Sequence, residues 1–481
     1  MDFDILIAGG GASGLAAAIS AARFAKSVSP ARSLRIGLLE KKEIPGKKLS
    51  ATGNGRCNLS NVACSDRETV DRFFSSVGLV TRIDEAGRMY PYGEEAGEVS
   101  ALLTETALSY DVKIMTNCQV TQIRPVGEAR PPVSGAGESR PQTGAEGEPL
   151  PQSGQGGKTP AACVASGGFI VEINCSGSPD GREGGLSDAN GRRPEQTAGS
   201  RQLRCRILLL SMGGKSYSVF GTSGDGYGLA RRLGHSVTRL APSLVPIQVS
   251  EDLKGLAGVR TKADVTLLHL GKPVAQETGE VQFNKDCLSG ICIMNLSRLL
   301  VLNPEKPFAE AFGEYGLQLD LLPEFSREEV AEILRQKGGG VQTLVKRKLA
   351  AWMEETAATK AAGQEHPAVP ESSAAADPAV MADRLKSLTF SVCGTKGWND
   401  AQVTRGGVVL EEVDPDTMES HLVPGLYFAG EILNYDGPCG GFNLHFAWDS
   451  GIRAGEAMAA AALGADAAEN GNSAARRISD R

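Results

Sequence analysis

The feature that most constrains this chain is a glycine-rich turn close to its start. Phe3–Ala8 (FDILIA) is a short apolar run of the kind a buried parallel strand needs. Gly9-Gly10-Gly11-Ala12-Ser13-Gly14 follows, and the alanine-rich stretch from Leu15 to about Ala25 predicts a helix. Ile36–Leu39 predicts a second strand that ends at Glu40. Gly9, Gly11 and Gly14 satisfy the spacing G-x-G-x-x-G. That spacing gives a tight strand-to-helix turn, a bare backbone where a pyrophosphate lies, and close packing of the helix. The helix end adds N–H groups and a positive dipole for phosphates. Glycine-rich turns also occur without ligands, so the context decides. Here a strand precedes, a helix follows and an acid ends the next strand. Glu40 lies 40 − 14 = 26 positions after Gly14, a little beyond the usual ~20, and Ser27–Ser33 supplies the extra loop. A carboxylate there accepts hydrogen bonds from ribose hydroxyls and repels a 2′-phosphate; a plain surface acid is the alternative.

What surrounds this unit narrows the field. At 481 residues the chain exceeds one ordinary core, so two or three domains are expected. Acidic residues outnumber basic ones 57 to 50, a net charge of −7, which suits neither nucleic acid nor an anionic membrane. No apolar run approaches the ~18 residues of a membrane span. The start, Met1-Asp2-Phe3-Asp4, lacks the basic region of a secretory signal. Ten cysteines without a close-spaced framework or C-x-x-C imply reduced thiols in a cytoplasm. The five histidines are scattered singly, so no metal site is expected.

The fold class expected is α/β, with the following segments. Residues 1–126 form the first part of a dinucleotide-binding domain, and residues 127–204 a β-meander. In the meander, Lys113–Ile123, Phe169–Asn174 and Gln202–Leu210 read as strands around two Gly/Pro/Ser/Glu/Arg-rich insertions, 127–166 and 176–200. Such compositions bury too little apolar surface to offset ordering entropy. Residues 205–240 return to the first domain. Residues 241–302 alternate apolar and polar patches (Asp264–His269, Glu280–Phe283, Ile291–Asn295) and suggest a β-rich substrate domain. Residues 303–388 are expected to be helical around Ser326–Gln336 and Val341–Glu355, with a loose connection at 356–383. Residues 389–463 complete the dinucleotide domain through strand-like Val408–Leu410 and Leu426–Ala429 and a helix at Phe442–Ala461. Residues 464–481 are expected to be a disordered tail.

A second site separates FAD from NAD. Gly425-Leu-Tyr-Phe-Ala-Gly430-Glu431 is an apolar strand ending in a Gly–acid pair, and Gly440-Gly441-Phe442-Asn443-Leu444 opens a helix. In flavoproteins of the glutathione-reductase type such a strand brings an acid to the ribityl chain. The next helix then aims its N-terminus at the flavin pyrimidine, where negative charge develops on reduction. The acid and glycines before a helix favour FAD over one more structural turn. Ile207–Leu210 with Ser211-Met212-Gly213-Gly214 reads as the strand that returns beside the first turn. Gly221–Gly226 then precedes a helical stretch to Leu233.

The run Lys47-Lys48-Leu49-Ser50-Ala51-Thr52-Gly53-Asn54-Gly55-Arg56-Cys57-Asn58 resembles the signature loop of a bacterial FAD-binding flavoprotein family. That family contains aminoacetone-oxidase-like proteins and 3-dehydro-bile-acid Δ4,6-reductase. Gly279–Gly290, Asp400–Val408 and Tyr435-Asp436-Gly437 extend the resemblance, which runs from Met1 to about Gly455. It implies a Rossmann-like FAD domain interrupted by a β-barrel-like domain and a small helical domain. It also implies FAD held by Gly9, Gly11, Ala12, Ser13, Gly14, Glu40 and Lys41. From the loop come Lys48, Ser50, Asn54, Gly55, Arg56, Cys57 and Asn58. Val120, Gly213, Gly430, Glu431, Gly441, Asn443 and Leu444 complete the set. Cys439 and Phe442 depart from the Thr and Tyr common in the family.

The function expected is that of a cytoplasmic FAD-dependent oxidoreductase whose flavin carries the hydride chemistry. No second G-x-G-x-x-G occurs, so any NAD(P)H docks transiently. The resemblance implies reduction of a C=C conjugated to a carbonyl in a steroid-like small molecule; amine oxidation and RNA modification are the alternatives. Arg56, Tyr217, Tyr435 and His445 are the candidate donors to an enolate or carbon. Cys57 and Cys439, outside any C-x-x-C, read as packing residues rather than a redox pair.

Overall fold

The computed structural model describes residues 1–126, 167–176, 199–336, 340–362 and 377–479. The insertion 127–166 and all but the ends of 176–200 lie outside the described residues. Six strands build the first sheet: β1 (Phe3–Ala8), β2 (Ile36–Leu39), β3 (Lys113–Met115), β4 (Cys118–Pro125), β5 (Phe169–Cys175) and β6 (Gly199–Leu210), in the order β3-β2-β1-β6-β5-β4. A short strand, Leu426–Phe428, adds parallel to β6. β1, β2 and the inner half of β6 are continuous apolar runs because the parallel sheet buries both their faces. The outer half of β6 pairs antiparallel with β5, and β5 with β4, which gives the meander.

The stretch Lys113–Ile123 is two strands rather than one. The chain turns at Thr116-Asn117, with Asn117 at φ 54°, so β3 extends the parallel sheet and β4 leaves it for the meander. The expectation of reduced thiols throughout also needs correction. Cys118 and Cys175 face each other across β4 and β5, 4.1 Å apart at Cα, and form a disulfide. Antiparallel pairing puts two cysteines within bonding reach without any sequence spacing to announce it.

Helix α1 (Ala12–Val28) packs one way onto the sheet and the other onto the C-terminal helix, Phe442–Ser479. Gly451 and Gly455 make that second contact possible, since a Cβ on either would collide with the backbone carbonyl of Ser13 or Ala17. The C-terminal helix continues through the segment expected to be a disordered tail, in keeping with its alanine content.

The second domain is a closed antiparallel barrel. Its strands run, around the barrel, Ile247–Val249, Cys287–Ser289, Lys272–Phe283, Arg260–His269, Tyr315–Asp320 and Leu388–Thr395. The last two come from segments read as helical or as part of the first domain. Their alternation of buried and exposed residues is clear only once their partners are known. Ile291–Asn295 is the start of a helix, Ile291–Ser297, not a strand; a short apolar run fits both periods. Helices Arg327–Arg335, with a Ser326/Glu329 capping box, and Arg347–Ala362 pack beside the barrel. Within the expected loose connection, Asp377 caps a further helix, Pro378–Lys386. Val408 makes only isolated bridges, and a short 3-10 turn begins at Leu410.

The chain leaves the first domain at Ala241–Ser243 and returns at Val403–Arg405. These two crossings pair as an antiparallel ribbon. No helix of the described residues is long and apolar enough to cross a membrane.

Candidate functional site

At the end of β1 the three glycines have separate steric duties. A Cβ on Gly9, at φ 113°, would collide with the Ser211 carbonyl at the end of β6. One on Gly14 would collide with the Gly9 carbonyl, so α1 can approach only as glycine permits. A Cβ on Gly11 would meet nothing within 4 Å, so this backbone faces open space. Gly11 caps α1 with no side-chain hydrogen bond, and the first turn holds no acid to compete with an anion. Tight beneath and open above is what a pyrophosphate requires.

Glu40 accepts hydrogen bonds from Gly10 N (3.0 Å) and Lys42 N (2.8 Å), which fix its carboxylate beside the turn. Burial pushes its pKa above the ordinary carboxylate value, against the pull of those N–H groups. Lys41 is held by Ser223 (2.6 Å) and Asp225 (2.7 Å) at the start of the helix Asp225–Arg232.

From this turn a cleft of about 450 Å3 runs to the ribbon that leads into the barrel and to the helix Ile291–Ser297. Of the residues expected at the site, Gly9, Gly11, Ala12, Ser13, Glu40, Lys41, Lys48, Asn54, Arg56, Asn58, Val120, Gly213, Glu431, Gly441, Asn443 and Leu444 line it. Gly14, Ser50, Gly55, Cys57 and Gly430 are outside the lining. Gly14 and Gly430 lie beneath it, where a Cβ on Gly430 would strike the Ser13 hydroxyl. Ser50 bonds back to Gly46 O (3.3 Å). Cys57 is fully buried, and burial pushes its thiol up to about 12, a packing residue rather than a thiolate. Burial likewise pushes Cys439 up to about 12, against a redox pair.

The far half of the cleft is built from four distant segments. Glu431 receives Lys48 Nζ (2.6 Å), Ser216 Oγ (2.9 Å) and Thr404 N (2.9 Å). Thr404 Oγ1 in turn accepts from Lys215 N (2.7 Å) and Ser216 N (3.2 Å). Thr404 belongs to the inter-domain ribbon, so the acid before the last helix is tied to the crossing into the barrel. Beyond Glu431, Asn443 staples the turn before the C-terminal helix. Its Oδ1 accepts from Gly437 N and its Nδ2 donates to Gly437 O, both at 2.8 Å. Asn58, with its amide oriented to suit its neighbours, bridges Ser60 O and Gly441 N at 3.1 Å each.

The four candidate donors separate. His445 is buried, with Nδ1 bonded to Ser60 Oγ (2.9 Å) and Nε2 to Ser65 O (2.7 Å), and is not on the cleft wall. It is a structural residue. Arg56, Tyr217 and Tyr435 do line the cleft. Arg56 lies over the Tyr90 ring, 5.1 Å from its centroid. Tyr435 stacks on Phe446 at 4.1 Å between ring centroids, and its hydroxyl makes no hydrogen bond among the described residues. Burial raises its pKa, so it stays protonated at neutral pH. Sequence reasoning assigned no role to Ser211, Ser216, Thr404 or Gln402. The run Asp400–Val408 was a motif without a chemical reading, and the hydrogen bonds of Thr404 and Gln402 supply one.

Fold and cleft define a Rossmann-type FAD flavoprotein, an oxidoreductase. The chain belongs to the HI0933-like family, whose Rossmann-domain model matches residues 185–457. It is 30% identical over 94% of its length to a 3-dehydro-bile acid delta(4,6)-reductase of Clostridium scindens, covering 98% of that protein. It is 29% identical to a ribosomal RNA dihydrouridine synthase of Haemophilus influenzae over 52% of this chain and 60% of that protein. Among solved structures it is similar to a 3-ketosteroid delta1-dehydrogenase of Sterolibacterium denitrificans at 12% identity. That match covers 95% of this chain and 99% of the other, with a TM-score of 0.45.

Proposed function

We propose that the protein reduces a C=C conjugated to a carbonyl in an apolar, steroid-like small molecule, drawing electrons from NAD(P)H that docks only transiently. The observation that carries this reading is the match to the bile-acid reductase along almost the whole chain, both domains included. Chemically, the names of both relatives denote the same kind of step. The Δ4 and Δ6 double bonds of a 3-keto-Δ4,6 compound and the C5=C6 bond of uridine are each conjugated to a carbonyl, and reducing each C=C takes one hydride and one proton. Amine oxidation shares neither feature.

Bound FAD would supply the hydride. The chain's own groups would do the rest. Gly9, Gly11, Ala12 and Ser13 present backbone at the end of α1 for the pyrophosphate. Glu40 and Lys41 flank the adenosine ribose, and Glu431 with Lys48 meets the ribityl side. Gly441, Asn443 and Leu444 hold the C-terminal helix end towards the pyrimidine, where its dipole favours negative charge. Tyr435 keeps a proton on its Oη at the cleft wall, available to a substrate carbon or carbonyl.

RNA as substrate is a second reading, favoured by the dihydrouridine synthases and opposed by the net charge of −7. One anaerobic stopped-flow series separates the readings. NAD(P)H should bleach the flavin and a 3-keto-Δ4 steroid should restore it. Restoration by uridine-containing RNA but not by steroid would support the second reading. Bleaching by aminoacetone, with reoxidation by oxygen and release of peroxide, would overturn both.

A further inference from the structure

The wall that the barrel side contributes to the cleft is apolar at Leu244, Ile291 and Val403, and one amide interrupts it. Gln402 precedes the ribbon strand Val403–Arg405 and is anchored through its backbone. Its N–H donates to Leu244 O (3.2 Å) and its carbonyl accepts from Ser216 Oγ (3.2 Å). Its side chain is exposed to the cleft. Among the described residues the amide hydrogen-bonds only to sulfur: Nε2 lies 3.9 Å from Met294 Sδ, and Oε1 lies 3.8 Å from Cys439 Sγ. Sulfur is a weak hydrogen-bond partner, so the Nε2 donor of Gln402 has no strong protein partner among the described residues and remains open to a ligand. Cys439 begins the turn into the C-terminal helix, so this amide stands at the flavin end of the cleft.

We propose that Gln402 is a specificity-determining residue that donates Nε2–H to the single carbonyl oxygen of an otherwise apolar polycyclic ligand. This rests on the reading of function above and adds to it the group that recognises the ketone. A ligand oxygen takes the place of water and of a thioether contact on this exposed amide, an exchange of one hydrogen bond for another with a modest net gain. An analogue lacking that oxygen displaces the water and leaves the donor unpaired, so it is disfavoured.

The test uses holoprotein. Dissociation constants for a 3-keto steroid and its 3-deoxo analogue are read from perturbation of the flavin absorbance, for the wild type, Gln402→Leu and Gln402→Glu. Both variants should bind the ketone about tenfold more weakly, the size of one neutral hydrogen bond, while Gln402→Leu binds the deoxo analogue at least as tightly as the wild type does. KM should rise by the same factor with kcat within about twofold, and FAD affinity should not change. Equal weakening for both steroids would make Gln402 a packing residue. Loss of FAD would make it a cofactor support, and unchanged binding of the ketone would deny it any role; each of these overturns the proposal alone. If the wild type binds neither steroid, the reading of function fails and the proposal falls with it.

Discussion

The two ends of the cleft are built in different ways. The end we propose for adenosine, the adenosine end, is local: Gly9, Gly11, Gly14 and Glu40 come from one β-α-β unit, and most of what they do is steric. The end we propose for the flavin, the flavin end, is assembled from Lys48, Ser216, Thr404 and Glu431, which meet across the sequence through charge and hydrogen bonds. One end is therefore fixed by shape, where a single atom is decisive. The other is a network in which several partners share the load. The difference also sets what each end can sense: only the second is tied, through Thr404, to the ribbon that joins the barrel.

The sharpest test of the first half sets two glycines against each other. Gly14→Val drives a side chain into the Gly9 carbonyl, so it should cost more than about 3 kcal/mol and leave little folded protein. Gly11→Val meets no protein atom within 4 Å. It should leave the apoprotein's melting temperature close to wild type and abolish FAD binding, because its side chain occupies the phosphate's place. Thermal melts of the two apoproteins beside a fluorescence titration with FAD read both effects. A Gly11→Val protein that keeps FAD would break the assignment of the turn.

The flavin end should give more gradually. Glu431→Gln removes the charge that faces Lys48 while keeping an oxygen for Ser216 and Thr404, and should cost about 2 kcal/mol. Thr404→Val, isosteric and fully buried, strips the acceptor from Lys215 N and Ser216 N and should cost about 1 kcal/mol. If the network is shared, the double variant should lose less than the sum of the singles. Denaturant unfolding of the apoproteins supplies all three numbers. Strict additivity would mean that Glu431 and the ribbon are not coupled.

This contrast also explains what could be read from the sequence. The local end was legible because a strand, a turn and a helix carry their own periodicities, and the boundaries of Phe3–Ala8 and Ile36–Leu39 needed no adjustment. The flavin end had one local signal, the strand and Gly430–Glu431 pair before the last helix, and no more. Glu431 was read from the strand and Gly–acid pair before a helix, Lys48 was named through family resemblance, and Thr404 and Gln402 were passed over, since their roles exist only across the domain crossing. The barrel shows the same limit. Tyr315–Asp320 and Leu388–Thr395 close it from segments that read otherwise, and the Cys118–Cys175 disulfide needed the strand register to be seen.

The smallest effect, and the one that opposes the two ends most directly, is their response to acid. His235 lies against Phe428, on the strand that leads to Glu431, at 4.6 Å between rings. It is buried, bonded to Glu412 (3.0 Å) and Ser420 (2.9 Å). Burial lowers its pKa below the ordinary 6.5, with Glu412 opposing. The unfolded chain therefore takes up a proton that the folded one resists. The stability His235 provides is complete above pH 6.5 and is lost as pH falls towards its folded pKa. Glu40 has the opposite sign. Its pKa is raised by burial above the ordinary 4.5, so its contribution is fullest below pH 4.5 and declines as pH rises through the folded value. Between pH 6.5 and 4.5, acid should thus weaken the flavin end and ease the adenosine end. His235→Gln should flatten the fall in apoprotein stability across that window, and Glu40→Gln should steepen it. Chemical denaturation at points through the window measures both slopes, and two variants that shift the slope in the same direction would show that the ends do not titrate as opposites.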